Sequence, residues 1–145
     1  MATTRGSVEV DLSPEDTWSA VTDLSRYDEW LVLHEGWRSP VPAPDELANG
    51  TRVSSVVVVK GTRIRFDWTV NEFRPVQRVT LKGSGKGGVK AALDLTIVPA
   101  GTGSSVGFAV DLGGLPLIGP VGKAAALAVA GDVERSLIRF RDVFA

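Results

Sequence analysis

Hydrophobic and polar residues alternate along several stretches of this chain, which is the pattern of a β-strand with one buried face. The alternation begins at Val8 and is repeated over residues 51–59 and 62–70, which are separated only by Lys60 and Gly61. A two-residue connection of this kind is typical of a hairpin. Three later stretches alternate in the same way, around Val79 and Leu81, then Ala91, Leu93, Leu95 and Ile97, and then Val106, Phe108 and Val110. The pattern therefore predicts six strands.

The two-residue connection also predicts the register of the hairpin. If Val59 faces Thr62, the side chains of the two strands separate into two faces, because side chains alternate along a strand. The apolar face then collects Val53, Ser55, Val57, Ile64, Phe66, Trp68 and Val70. The opposite face collects Arg52, Arg63, Arg65 and Asp67.

Helical signals occur in two places, after the first strand and at the end of the chain. Ser13 and Pro14 suit the cap and first turn of a short helix, and Asp23 is predicted to cap a second one. After Pro120, spacings of three and four predict a long amphipathic helix. Its apolar stripe is expected to comprise Ala126, Ala130, Val133, Leu137, Phe140 and Phe144.

Two loops stand out by composition. Residues 36–50 carry prolines at alternate positions, which favour extended backbone and predict the longest loop. Residues 81–90, LKGSGKGGVK, resemble a phosphate-binding loop, but no Ser or Thr follows Lys86 and both flanks alternate as strands. We therefore expect a wide turn, with positive φ from Gly83 to Gly88 and with solvated lysines at positions 82, 86 and 90.

Composition excludes several functional classes. The 145 residues are 43% hydrophobic, which suits one domain spanning 1–145, and the net charge of -1 argues against nucleic-acid binding. Without cysteine and with a single histidine, the chain is not expected to hold a metal, and nothing in it indicates a cofactor. The apolar stretch 112–131 is interrupted by prolines, glycines and Lys123, so membrane insertion is not expected and a cytoplasmic location is the default expectation.

One strand, two short helices, five antiparallel strands and one long helix make an α+β order. This order and three segments resemble the START-like, or SRPBCC, superfamily, which includes polyketide cyclase/dehydrase-type proteins. The segments are VEVDLSPEDTWSAVTDLSRYDEWL, GTRIRFDWTVNEFRPVQRVTL and ERSLIRFRDVF. The resemblance implies the helix-grip (Bet v 1-like) fold, a curved antiparallel sheet, here of six strands, wrapped around the C-terminal helix. It also implies an apolar cavity between the sheet and that helix.

The predicted cavity combines the inward faces of the strands with the helix stripe and the residues next to the proline loop. An apolar, aromatic lining of this kind suits a hydrophobic ligand, although a packed core without a ligand is the alternative. The expected lining residues are Trp30, His34, Trp37, Val53, Ser55, Val57, Ile64, Phe66, Trp68, Leu81, Leu93, Leu95, Phe108, Ala126, Ala130, Val133 and Leu137.

Three functions follow as hypotheses. The leading one is noncatalytic binding or transport of a hydrophobic small molecule, such as a lipid, polyketide or isoprenoid, because no triad or carboxylate pair is recognisable. The second is a polyketide aromatase/cyclase or dehydratase with His34 or Tyr27 as acid/base and Ser55 as an orienting hydroxyl. The resemblance adds a third, the toxin component of a bacterial type II toxin–antitoxin pair, which would have a protein partner.

Overall fold

A computed structural model describes residues 2–114 and 119–145 of the chain, which form an α+β structure. The strands are β1 (Ala2–Val10), β2 (His34–Trp37), β3 (Arg52–Val59), β4 (Thr62–Arg74), β5 (Arg78–Gly85), β6 (Val89–Ala100) and β7 (Gly103–Gly114). The helices are α1 (Pro14–Val21), α2 (Tyr27–Trp30) and α3 (Gly119–Phe144), with short 3-10 turns at Leu24–Arg26, Pro44–Glu46 and Lys86–Gly88. Part of the apolar stretch 112–131, residues 115–118, lies outside the described residues.

The strands form one antiparallel sheet in the order β1-β7-β6-β5-β4-β3-β2. Within the described residues the sheet has seven strands where the sequence predicts six, and the additional strand is β2. Its four residues show no alternation, and it is held by pairing with β3, where His34 lies opposite Val57 and Trp37 opposite Ser55. Because the pairing partner is distant in sequence, no local pattern marks this strand, and the predicted loop 36–50 in fact begins after it.

The predicted register of the β3–β4 hairpin is confirmed. Val59 pairs with Thr62, Val57 with Ile64, and the two strands stay in register as far as Arg52. Lys60 and Gly61 both have positive φ, 51° and 77°, as a type I′ connection requires. The outward arginines at positions 52, 63 and 65 are exposed, as predicted.

The glycine-rich segment is more regular than predicted. β5 continues through Gly85, and positive φ is confined to Gly87 and Gly88. Gly83 lies opposite Trp68, and a Cβ on Gly83 would come within 2.6 Å of the indole ring. The wide turn predicted from Gly83 is therefore wrong for its first half, because the glycine makes room for an aromatic ring rather than for a turn.

The short helices follow the sequence signals only in part. The Ser13 side chain accepts a hydrogen bond from the Asp16 amide at 3.1 Å, so the predicted start of α1 is confirmed. Asp23 precedes the 3-10 turn and makes no capping bond; its carboxylate instead accepts from the Ser25 hydroxyl. The predicted cap of the second helix is therefore wrong.

Helix α3 packs against the inner face of the sheet, most extensively against β1. A Cβ on Gly6 would come within 3.0 Å of the Leu137 side chain and 3.2 Å of that of Val133, so the helix contacts the backbone of β1 directly. The buried face of α3 consists of Ala125, Val129, Val133, Ser136, Leu137 and Phe140.

The predicted stripe is wrong in the first half of α3. Ala130 is exposed, and Ala126 is only partly buried. Steps of three or four residues back from Val133 fit the helical period equally well. The structure takes steps of four to Val129 and Ala125, because that face of the helix meets the sheet.

Candidate functional site

Residues 2–114 and 119–145 enclose, among others, three spaces between the inner face of the sheet and the elements that cover it. The largest, called the open pocket here, has a volume of about 580 Å³ and reaches the surface. Two smaller internal cavities measure about 30 Å³ each. The open pocket is lined by Val59, Lys60, Thr62, Ile64, Lys86, Val89, Pro120, Val121, Ala124 and Ala125.

The aromatic cavity is the internal cavity next to α2 and β2. Its volume of about 30 Å³ is room for one or two water molecules, so any larger ligand must displace side chains. Its lining consists of Tyr27, Trp30, Leu31, His34, Trp37, Ser55, Val57, Trp68, Leu81, Leu93, Leu95 and Phe108.

The second internal cavity, the middle cavity, shares lining residues with each of the other two spaces. With the aromatic cavity it shares five lining side chains, among them Val57 and Phe108. With the open pocket it shares Val59, which is 5% exposed. Val59 therefore lies on the boundary between the open pocket and the interior. The full lining is Leu31, Leu33, Val57, Val59, Phe66, Trp68, Ala91, Leu93, Phe108, Val110, Leu112 and Val129.

Tyr27, a predicted acid/base candidate, is engaged within the protein. Its hydroxyl donates a hydrogen bond to the Val21 backbone oxygen at 2.7 Å. Burial raises the pKa of the Tyr27 phenol well above its ordinary value, and the charge of Asp23 raises it further. The phenol is thus held protonated and directed at the backbone rather than at the cavity.

Ser55 is buried on the inner face of β3, as its position in the hairpin predicts. Its hydroxyl oxygen accepts a hydrogen bond from the indole N–H of Trp68 at 2.9 Å. The partner is thus an aromatic side chain on the paired strand. The bond orients the Trp68 ring above Gly83.

His34 occupies the β2 side of the aromatic cavity. Its ring lies 4.6 Å from that of Trp37 and 6.2 Å, edge-on, from that of Tyr27. Burial lowers the pKa of His34, with an opposing contribution from the Asp28 carboxylate and a smaller lowering by Arg38. The imidazole is consequently neutral at pH 7, so it carries one donor and one acceptor nitrogen.

Trp30 contributes a donor that has no partner in the protein. Its side chain is 1% exposed and packs edge-on against Phe108 and Phe140. The indole N–H makes no hydrogen bond with any residue in 2–114 or 119–145. A buried donor without a partner is costly, so an acceptor in the adjoining aromatic cavity would be stabilising.

The residues predicted to line the cavity divide into three sets. Eleven adjoin the internal cavities: Trp30, His34, Trp37, Ser55, Val57, Phe66, Trp68, Leu81, Leu93, Leu95 and Phe108. Ile64 lines the open pocket. The remaining five, Val53, Ala126, Ala130, Val133 and Leu137, line none of the three spaces.

Sequence reasoning missed most of the open pocket. Lys60 and Lys86 were read only as turn residues, yet the tips of the β3–β4 and β5–β6 hairpins bring both of them to this pocket, beside the first turn of α3. The signal available in the sequence was the antiparallel order itself, which brings the β3–β4 and β5–β6 connections to the same end of the sheet.

A separate groove of about 380 Å³ crosses the outer face of the sheet over β1, β7 and β6. Arg5, Ser7, Asp94 and Thr96 supply its polar atoms. At its edge, Asp94 accepts two hydrogen bonds from Arg78, at 2.9 and 2.7 Å. The groove is lined by both polar and apolar residues and is more polar than the spaces on the inner face.

Residues 2–114 and 119–145 contain no group of three or more His, Asp or Glu side chains placed to hold a metal ion. No helix formed by residues 2–114 or 119–145 has the length and apolar character needed to cross a membrane.

Comparison with known proteins places this geometry in context. The sequence profile of the family described as polyketide cyclase / dehydrase and lipid transport matches residues 1–145. In Mycobacterium tuberculosis H37Rv, a protein named Toxin Rv0910 is 45% identical over 145 residues, covering 100% of this chain and 99% of the relative. Another, named Uncharacterized protein Rv1546, is 46% identical over 144 residues and covers 99% of both chains.

Solved structures show the same fold at low identity. A START superfamily protein from Mycobacterium smegmatis superposes with a TM-score of 0.75 at 21% identity, covering 97% of this chain and 98% of the other. A hypothetical protein, jhp0584, from Helicobacter pylori superposes with a TM-score of 0.77 at 13% identity, covering 99% and 88%. The predicted START-like, helix-grip fold is thereby confirmed.

Proposed function

The chain belongs to the polyketide cyclase / dehydrase and lipid transport family, and from this premise we propose that it binds a hydrophobic small molecule without transforming it. The ligand occupies the open pocket and extends past Val59 toward the interior. Candidate ligands are lipids, polyketides and isoprenoids, which share an extended apolar body.

The adjoining apolar spaces between the sheet and α3, which share lining residues, support this proposal. The open pocket falls within the size range of small-molecule sites, and Ile64, Val89 and Val121 give it an apolar wall. Beyond Val59 the lining is entirely hydrocarbon and aromatic in the middle cavity. Burial of an apolar ligand along this path is favoured by roughly 25 cal/mol per Å² of apolar surface removed from water.

Binding is favoured over catalysis by the state of the candidate groups. The Tyr27 hydroxyl donates to a backbone oxygen and the Ser55 oxygen accepts from Trp68, so both already have partners within the protein. The His34 ring lies beside the rings of Tyr27 and Trp37, and no carboxylate is among the cavity's lining residues. The unpartnered Trp30 N–H would recognise a carbonyl or hydroxyl on the ligand without reacting with it.

The test uses neutral probes: N-phenyl-1-naphthylamine by fluorescence, and hexadecanol, farnesol and an aromatic polyketide by native mass spectrometry. At least one probe is expected to bind saturably at a 1:1 ratio and to shift the NMR signals of Ile64, Phe66 and Phe108. Ala124→Phe, which fills the open pocket from α3, is expected to weaken binding by about tenfold or more, since an aromatic ring occupies ~150–250 Å² of contact surface.

The matched control is Ala130→Phe, which places the same side chain at an exposed position of the same helix. It should leave binding unchanged, because Ala130 lines none of the three spaces. Absence of saturable binding by every probe would contradict the proposal. Equal weakening by both variants would locate the ligand elsewhere.

A second candidate function is supported by a relative. Toxin Rv0910 is 45% identical to this chain over its whole length, so we infer as the alternative that this chain acts as the toxin of a toxin–antitoxin pair. A protein partner would have the polar outer groove over β1, β7 and β6 available to it. Induced expression should then arrest growth of the host, and co-expression of the reading frame immediately upstream should relieve the arrest. Normal growth under induction would contradict this candidate.

A further inference from the structure

The mouth of the open pocket is positively charged while its wall is apolar. Lys60 comes from the β3–β4 turn and Lys86 from the β5–β6 connection, and the Thr62 hydroxyl belongs to the same lining. The described lining contains no aspartate or glutamate. Two cations that converge from different turns on an apolar pocket are the arrangement that suits a ligand with an anionic head and an apolar tail.

The backbone of Lys60 gives a second, independent observation. Its φ of 51° lies in the left-handed region, where a type I′ turn favours asparagine, aspartate or glycine. A lysine at this position is strained, whereas Gly61 beside it adopts positive φ without strain. Strained residues of this kind are concentrated at functional sites, where the side chain has a use that offsets the strain.

The first turn of α3 adds to the positive potential. Pro120 and Val121 line the pocket, and the first turn of this 26-residue helix contains no acidic residue. The amino end of a helix carries roughly half a positive charge. An anion at the mouth would therefore be attracted by the helix end as well as by the two lysines.

We propose that the ligand is an anionic amphiphile, whose carboxylate or phosphate head binds Lys60 and Lys86 and whose apolar chain lies in the open pocket and extends toward Val59. This inference rests on the proposed function, because it names the chemical class of the ligand for the same pocket. It differs from that proposal in requiring charge recognition as well as an apolar tail.

The test compares two ligands with the same chain, oleate and oleyl alcohol, by calorimetry below their critical aggregation concentrations. The protein should bind oleate about tenfold more tightly than the alcohol, since two exposed ion pairs together give an effect of this order. In the double variant Lys60→Asn, Lys86→Gln, the ratio of the affinity for oleate to that for oleyl alcohol should fall to about one. In the unmodified protein, raising the salt from about 0.05 to 0.5 M should also reduce it.

The matched control is the double variant Lys82→Gln, Lys90→Gln. It removes the same number of charges, both from the β5–β6 hairpin that carries Lys86, but at exposed positions that do not line the open pocket. Its preference for oleate should equal that of the unmodified protein. An equal loss in both double variants would reduce the effect to net charge and overturn the inference.

Lys60→Asn by itself provides a readout that a purely structural lysine would not give. Because asparagine tolerates the left-handed region, the melting temperature should stay the same or rise while the preference for oleate falls. An unchanged preference in this variant would remove Lys60 from the site and overturn the inference as stated.

The remaining outcomes separate the two proposals. Equal affinity for oleate and oleyl alcohol in the unmodified protein would overturn the anionic head while leaving the hydrophobic-ligand proposal intact. Binding of neither compound, together with none of the neutral probes, would overturn both. Acetate and inorganic phosphate test the head alone; if either displaces oleate at micromolar concentration, the site is a simple anion site and the amphiphile is wrong.

Discussion

The two ends of the space beneath the sheet are built on different principles. At the α2 end, aromatic side chains interlock around a cavity of about 30 Å³, and Trp37 donates a hydrogen bond from its indole to the Leu24 backbone oxygen at 2.8 Å. At the opposite end, two hairpin tips and the start of α3 surround an opening of about 580 Å³. The first end is a packed core, and the second is a surface pocket.

This difference separates stability from ligand entry. Side chains at the aromatic end are held by edge-on ring packing and by hydrogen bonds that bind them to particular neighbours. The open end includes Val121, which is 59% exposed, and two lysines on turns. Substitutions at the aromatic end should therefore change the free energy of unfolding, and substitutions at the open end should change binding.

The largest expected effect is that of Trp30→Ala at the aromatic end. Removal of a fully buried indole, with its contacts to Phe108 and Phe140, should reduce the free energy of unfolding by about 3–5 kcal/mol. Val121→Ser at the open end should change it by less than about 0.5 kcal/mol. Urea denaturation measures both, and similar losses would break the distinction between the two ends.

Gly83→Ala should have an intermediate effect. The added methyl would lie 2.6 Å from the Trp68 ring, which cannot move freely because its N–H is bonded to Ser55. Overpacking of this kind costs about 1–3 kcal/mol. The neighbouring Ser84→Ala, at an exposed position on the other face of β5, is the control and should be nearly neutral in the same denaturation experiment.

The smallest effect concerns the protonation of His34. Since burial lowers its pKa in the folded state, the unfolded chain binds a proton first as the pH falls. The stabilisation is complete above the unfolded value of about 6.5 and is lost as the pH falls from there to the lower folded value. The Asp28 carboxylate opposes this lowering of the His34 pKa, and the Arg38 guanidinium adds to it.

His34→Gln should flatten this part of the stability profile. Melting temperatures measured between about pH 8 and pH 5 would show a steeper decline for the unmodified protein than for the variant. Identical slopes would mean that the imidazole is solvated in both states. The aromatic end would then be more open to water than its packing indicates.

The local sequence pattern was sufficient to predict the strand pairing of the β3–β4 hairpin. Its alternation and two-residue connection lead to the observed pairing of Val59 with Thr62, because side-chain direction in a strand is set by the backbone alone. The pattern was insufficient for α3, where Ala126 and Ala130 satisfied the helical period as well as Ala125 and Val129 did. Only contact with the sheet distinguishes the two faces.

The candidate site divides in the same way. Eight of the eleven residues around the internal cavities follow from strand alternation, because an inward face can be read without knowing its partner. The other three, Trp30, His34 and Trp37, follow from the resemblance to the START-like superfamily. Lys60 and Lys86 of the open pocket could not be assigned so directly. Their meeting depends on how the sheet curves and on where α3 begins.

The order of the elements, the faces of the strands and the hairpin register are properties of short segments, so the amino-acid sequence contains them directly. The formation of β2, the choice of the buried face of α3 and the packing of Gly83 against Trp68 depend on residues far apart in the chain. Gly83 and Lys86 show this dependence within one segment, residues 81–90, whose composition resembles that of a phosphate-binding loop. In the structure, Gly83 is covered by Trp68, and Lys86 lies at the mouth of the open pocket. These two environments are determined by tertiary packing, because only the folded sheet brings the Trp68 ring to Gly83 and Lys86 to the open pocket.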